Sequence, residues 1–159
     1  MKALSIWQPH ASLLVVPNPV SGIPFKRHET RGRRMPGQSH GWYEPVSQIG
    51  QRIAIHAAKS LSELRWIRDG GDEDFYRAIR AIGYPDPMQM PVGAIVGTAI
   101  LKRCHLTENL VDPGPFGDFS PRRWAWEMAD TQPLATPIPC VGRQGFFDIP
   151  DSLLLAAAA

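Results

Sequence analysis

The residues best suited to chemistry lie between Gly22 and Arg34, where the sequence reads G-I-P-F-K-R-H-E-T-R-G-R-R. Residues 26–34 hold five cations, Lys26, Arg27, Arg31, Arg33 and Arg34, against one carboxylate, Glu29, a local net charge of +4. His28 adds to it at mildly acid pH. In an extended strand alternate side chains share a face. Glu29 and Arg31 then point the same way, and Lys26 needs a twist or bulge to join them. A carboxylate between two cations stays ionised and fixes where they sit. Two readings stand side by side: a solvated basic strand with a local ion pair, or the cationic wall of an anion-binding cleft.

Other candidates are scattered along the chain. Trp7 and Gln8 end a short strand just before Pro9 opens a helix. Free N–H groups at such a junction attract anions, although an ordinary strand–helix join with Trp7 in the core has the same sequence. His56 is either a hydrogen-bonded structural group or, beside the basic strand, a proton carrier or ligand contact. Arg143 and Gln144 stand between Gly142 and Gly145. Trp42 and Tyr43 lie in a long basic loop, where they either stack bases or cover the edge of the core.

The elements that must position these groups follow from periodicity. Lys2–Trp7 reads as a strand. The helix after Pro9, a residue suited to a first turn, carries Ala11, Leu13, Leu14, Val15 and Val16 and stops at Pro17 and Pro19. Phe25–Arg31 is the charged strand, and residues 32–48 are an irregular loop. Gln51–Ala58 alternates cleanly, with Ile53 and Ile55 on one face. Residues 60–82 are helical in two pieces, broken at Asp69-Gly70-Gly71-Asp72, with Ser60 or Ser62 as the cap of the first. Val92–Leu106 is a long strand that Gly93 and Gly97 bend or bulge. Arg123–Met128 alternates again, with Trp124, Trp126 and Met128 on a core face. Residues 131–139 read as a proline-broken connection and Val141–Ile149 as the last strand. Strands outnumber helices, and their glycines suit a small closed sheet.

Composition bounds the class. The 159 residues suit one domain with a sizeable core, expected over residues 1–150, with 151–159 as a frayed or docked tail. No apolar run reaches the ~20 residues needed to cross a bilayer, and the start is interrupted too early by Gln8, Pro9 and His10 for a signal peptide. Cys104 and Cys140 lack metal-site spacing. No zinc spacing, Gly-rich phosphate loop or nucleophile–histidine–acid triad appears, so neither metal nor cofactor is expected. A cytoplasmic location without membrane contact fits best. Net charge is only +2, yet residues 1–59 hold eight Lys/Arg against Glu29 and Glu44, while residues 60–159 hold nine against thirteen Asp/Glu. A basic first third on a nearly neutral chain favours a local anion-binding surface, with nucleic acid or a phosphorylated ligand as partner.

Several segments together resemble the ASCH domain (activating-signal-cointegrator homology) of the PUA-like group. They are L-S-I-W-Q-P-H-A-S-L-L at 4–14, the K-x-x-E-x-R of Lys26, Glu29 and Arg31, and R-I-A-I-H-A-A at 52–58. P-V-G-A-I-V-G at 91–97, W-A-W at 124–126 and P-I-P-C-V-G-R-Q-G-F-F at 137–147 complete the set. The family pattern places a glycine closer to the lysine; here Ile23-Pro24-Phe25 lengthen the turn between Gly22 and Lys26. The resemblance implies an α+β fold, a PUA-like barrel of five or six strands with flanking helices, and a cleft holding Lys26, Glu29 and Arg31 near the first helix.

The resemblance also implies nucleic-acid binding, with some members similar to ribonucleases or to an amidohydrolase acting on acetylated cytidine. That amidohydrolase pattern has a threonine nucleophile three residues after its lysine. Glu29 stands there, and a carboxylate does not replace an acyl-accepting hydroxyl. Glu29 is also expected to raise the lysine pKa, which opposes a base role. The leading expectation is therefore a module binding RNA, single-stranded or structured, in preference to DNA. Lys26 and Arg31 hold phosphate or a base edge and Glu29 orients them. Trp7, Gln8, His56, Arg143 and Gln144 are further contacts, and Arg27, Arg33 and Arg34 add a sequence-independent charge term. The alternatives are a metal-independent hydrolase of RNA or a modified nucleoside, with Lys26 and Glu29 catalytic, and a small nucleoside or nucleotide binder.

Overall fold

The computed structural model describes residues 1–155. Six strands and four helices follow one another as β1 (Lys2–Ile6), α1 (His10–Val15), β2 (His28–Gly32), β3 (Arg52–Ala57), α2 (Ser62–Arg68), α3 (Glu73–Ala81), β4 (Ala94–Leu106), β5 (Arg123–Pro139), β6 (Phe146–Asp148) and α4 (Ser152–Leu155). All six strands form one sheet in the order β2-β5-β4-β3-β1-β6. β1 and β3 run parallel, and every other neighbouring pair is antiparallel. The class is α+β.

The sheet curls strongly. In a flat sheet with strands about 4.8 Å apart, β2 and β1 would stand about 19 Å from each other, as would β5 and β6. Instead Arg31 Nη2 on β2 donates to the Ser5 carbonyl on β1 at 2.8 Å. Trp126 on β5 and Phe146 on β6 stack with ring centroids 5.6 Å apart. The sheet has therefore curled into a half-barrel, and Trp126 fills it without any exposure. Bulges supply the curvature: β4 slips register against β5 at three places and against β3 once, between Ile55 and His56.

Helix α1 lies between two packed layers. Ala11, Leu14 and Val15 join the barrel core with Leu4, Ile53, Ile55 and Leu101. Leu13 points the other way, into a second core made with Leu64, Ile67, Phe75 and Ile79 from α2 and α3. A Cβ on Gly97 would lie 2.7 Å from the Gln132 carbonyl oxygen and 2.9 Å from Val15, so glycine is what lets α1 sit on β4. The break between α2 and α3 occurs at 69–72 as the sequence indicates. Asp72 caps α3 by accepting from Phe75 N at 3.0 Å, whereas neither Ser60 nor Ser62 caps α2, whose N-cap is Leu61.

Three boundaries differ from the sequence expectation. The charged strand begins at His28, not Phe25. Residues 131–139 are not a connection but the second half of β5, pairing with β4 from Gly97↔Pro133 to Ala94↔Pro139. β2 covers only residues 123–127 of β5. The remainder is an edge, where a missing N–H leaves no unfilled ladder bond. The last strand shrinks to 146–148, and residues 140–145 form a loop over the barrel mouth. In the expected tail, Leu153 and Leu154 pack against Ala3, Ala54 and Phe147; residues 156–159 lie outside those described. Among the described residues, no helix is long and apolar enough to cross a membrane.

Candidate functional site

A cleft of about 680 Å³ opens where α1, β2, the start of α2 and the 140–145 loop converge. Trp7, Lys26, Glu29, Arg31, His56, Arg143 and Gln144, seven residues singled out from the sequence, all line it. Its walls bring five Lys/Arg and three Asp/Glu, so the cleft is cationic overall.

The floor is an ion network with its centre withdrawn from solvent. Lys26 and Glu29 are 3% and 6% exposed. Lys26 precedes β2 and is turned inward because its backbone N–H donates to the Leu13 carbonyl at the end of α1, at 3.0 Å. That contact, and not a bulge within the strand, brings it to Glu29. Lys26 Nζ lies 3.3 Å from Glu29 Oε2, and Arg31 Nε lies 3.1 Å from Glu29 Oε1. The Arg31 Nε–H is not aimed at the carboxylate, so that contact is an ion pair and not a directed hydrogen bond. Lys26 Nζ also donates to His10 Nδ1 at 3.1 Å and to the Phe116 carbonyl at 3.0 Å. Because Nδ1 accepts, His10 Nε2 carries the hydrogen and donates to Glu63 Oε1 at 2.9 Å. A continuous chain therefore runs Glu63–His10–Lys26–Glu29–Arg31. The Arg31 guanidinium ends it, 5.0 Å from the centroid of Trp42 and 6.0 Å from that of Trp126.

Burial sets the protonation of this network. It lowers the Lys26 pKa, and the opposing pull of Glu29 does not make up the difference. The expected upward shift is thus reversed, because desolvation of a fully buried ammonium outweighs one neighbouring carboxylate. Burial pushes the Glu29 carboxyl up, but Lys26 and Arg31 together outweigh it and hold it low. The two directions are compatible: Arg31 keeps Glu29 ionised even when Lys26 gives up its proton.

His56 sits at the β3 end of the cleft, buried, which lowers its pKa. Nε2 faces the Cys140 carbonyl at 3.0 Å and so carries the hydrogen; Nδ1 accepts from Ser5 Oγ at 3.0 Å. Gly142 rests directly on the ring, since a Cβ there would come within 2.2 Å of Cε1. Both ring nitrogens are occupied, and His56 anchors the 140–145 loop. That loop carries Arg143 and Gln144, both exposed.

The other predicted residues lie elsewhere. Gln8 is fully buried. Its carboxamide donates to Ser12 Oγ and the Pro91 carbonyl and accepts from Ser12 N, at 2.7, 2.8 and 3.1 Å. It thereby fills the first turn of α1, where the sequence pointed to an anion. Arg27 is exposed off the cleft. Arg33 packs over Trp124 and Arg34 over Tyr43. Sequence reasoning overlooked His10, Glu63, Lys59 and Arg123, which also line the cleft. The single usable signal was His10 within the 4–14 motif; its partner Glu63 is 53 residues away.

No family model matches the chain, and no curated protein matches it significantly. Among solved structures it is similar to a point mutant of the ASCH protein of Zymomonas mobilis. Identity there is 14%, with 99% of this chain and 95% of that chain covered and a TM-score of 0.49. The unmutated ASCH of the same organism gives 15% identity, 99% and 92% coverage and a TM-score of 0.47. These neighbours bear the name of the family that the motifs resemble; the architecture itself stands on the strand order and curl of this chain.

Proposed function

We propose that the cleft binds an unpaired nucleotide of RNA, single-stranded or structured, and that the chain is a nucleic-acid-binding module. The observation that carries this is Trp7. It is 56% exposed at a cationic cleft whose floor is already satisfied by internal pairs. An exposed indole beside cations offers a stacking face to any base, and Lys59 and Arg143 stand exposed on the same cleft for the adjoining phosphates. The volume suits a ligand of nucleotide size. The sequence motifs carry the same expectation.

A second reading has its own observation. A buried lysine of lowered pKa, hydrogen-bonded to a histidine that a carboxylate orients, is how a proton acceptor is built. Lys26 with His10 and Glu63 would then serve a metal-independent hydrolase of RNA or of a modified nucleoside.

One experiment separates the two. Labelled single-stranded RNA and matching DNA are titrated with wild type and Trp7→Ala, followed by anisotropy, and the same samples are run on a denaturing gel with EDTA present. Salt-dependent binding of intact RNA, weakened in Trp7→Ala, is expected. Absence of binding to either polymer would overturn the module. Shortened RNA, with cleavage lost in Lys26→Met, would establish the hydrolase.

A further inference from the structure

The sheet carries a second cluster outside the lining of the cleft, which the proposed nucleotide site does not use. His28 lies on β2, Glu127 on β5 and His105 on β4, three strands adjacent in the sheet. His28 and Glu127 are direct cross-strand partners. β4 pairs Arg103 with Glu127 and His105 with Ala125, so His105 is the diagonal neighbour of Glu127. One donor atom from each residue falls within 4.8 Å of the other two.

We propose that His28, His105 and Glu127 form a binding site for a divalent transition-metal ion of the zinc type. Two imidazoles and one carboxylate are a donor set such ions favour, with a fourth position left for water. One of the three spacings is already close. Ligands about 2.0–2.1 Å from a tetrahedral ion stand about 3.3 Å from each other, and His105 Nε2 lies 3.0 Å from Glu127 Oε2, in a hydrogen bond that a bound ion would replace. An independent observation comes from His28. It is 9% exposed, and its Nδ1 is buried without a hydrogen-bond partner. A buried imidazole nitrogen is normally paired, and His28 instead meets His105 and Phe119 edge-on, at centroid distances of 5.9 and 6.3 Å. His105 and Glu127 keep about a quarter of their side-chain surface open, at 26% and 23%, which gives an ion a way in. Lys102 Nζ donates to the other carboxylate oxygen, Glu127 Oε1, at 2.8 Å. That bond orients the carboxylate as an outer partner does in metal sites, and its positive charge weakens affinity. Sequence spacing could not show the trio, because each member comes from a different strand.

The test uses Co2+ alone, added to the chelator-treated full chain and followed by visible absorbance and calorimetry, with Zn2+ as competitor. One equivalent is expected to bind, with the intense visible bands of four-coordinate Co2+ that Zn2+ abolishes. His105→Ala and Glu127→Gln are each expected to weaken binding by about tenfold or more, and Lys102→Met to tighten it several-fold. Glu127→Gln keeps the shape of the side chain, so it decides the matter even if His105→Ala fails to fold. Absence of visible bands up to millimolar Co2+, or affinity undiminished in Glu127→Gln, would overturn the site.

Discussion

The floor and the rim of the cleft are built on opposite principles. The floor has Lys26 and Glu29 buried and Arg31, His10 and Glu63 half-buried around them, and its charges are committed to one another. The rim, with Trp7, Lys59, Arg143 and Gln144, is exposed. Buried charges survive only when paired, so the floor cannot be loosened without cost to the fold. The rim carries little folding energy and is free to take a ligand. Two of the five cations in the most strongly charged stretch, Lys26 and Arg31, are therefore committed to the scaffold, and the exposed groups of the rim come from places of low charge density.

The largest expected effect lies in the floor. Glu29→Gln leaves the buried Lys26 and the half-buried Arg31 without a counter-charge and should cost about 3–5 kcal/mol of stability, read by urea unfolding. A loss below 1 kcal/mol would mean that the floor behaves like the rim. Trp7→Ala should do the reverse. Losing one stacked base costs about 1–3 kcal/mol of RNA affinity, while unfolding shifts by about 0.5 kcal/mol or less. A large drop in stability would place Trp7 with the scaffold.

Acid titration separates the layers further. The Glu29 carboxyl is held below its ordinary range, so its contribution is present above the unfolded pKa of about 4.3 and is lost as pH falls through the folded value. His56 has a depressed pKa as well. Above about 6.5 it is neutral in both states and contributes nothing to the slope. As pH falls below that, the unfolded chain takes the proton first, so stability declines until the folded pKa is passed. His56→Gln should flatten the decline near pH 6 and leave the one below pH 4.3 intact. The smallest effect is at the rim: Arg143→Ala should reduce the salt slope of RNA binding by about 1. An unchanged slope would take the 140–145 loop out of the interface.

Much of the scaffold was legible because alternation marks strands directly, as in residues 52–57 and 123–128, and because a long run of β-forming residues marks 94–106. The curl was foreshadowed by Gly97, whose lack of a side chain now has a specific cause in Val15 and Gln132. Glu29 and Arg31 were readable as a pair because they share a strand face. What was missed has one character. Lys26 reaches Glu29 through a backbone bond to α1, His10 meets Glu63 across two helices, and Gln8 turns inward to serve Ser12. Local periodicity reports which face a residue occupies on its own element, and these contacts depend on how different elements are placed. The direction of the Lys26 shift was misjudged for the same reason: the neighbouring carboxylate was visible in the sequence, the depth of burial was not.

The prolines of β5 have a consequence for the company the chain keeps. Past Met128 one side of that strand has no partner strand among the described residues, and an open strand edge is a template on which another chain can add itself. Pro133, Pro137 and Pro139 fall within this stretch, and a proline has no N–H to offer an incoming strand. The longest strand of the sheet is thereby a poor seed for edge-to-edge aggregation.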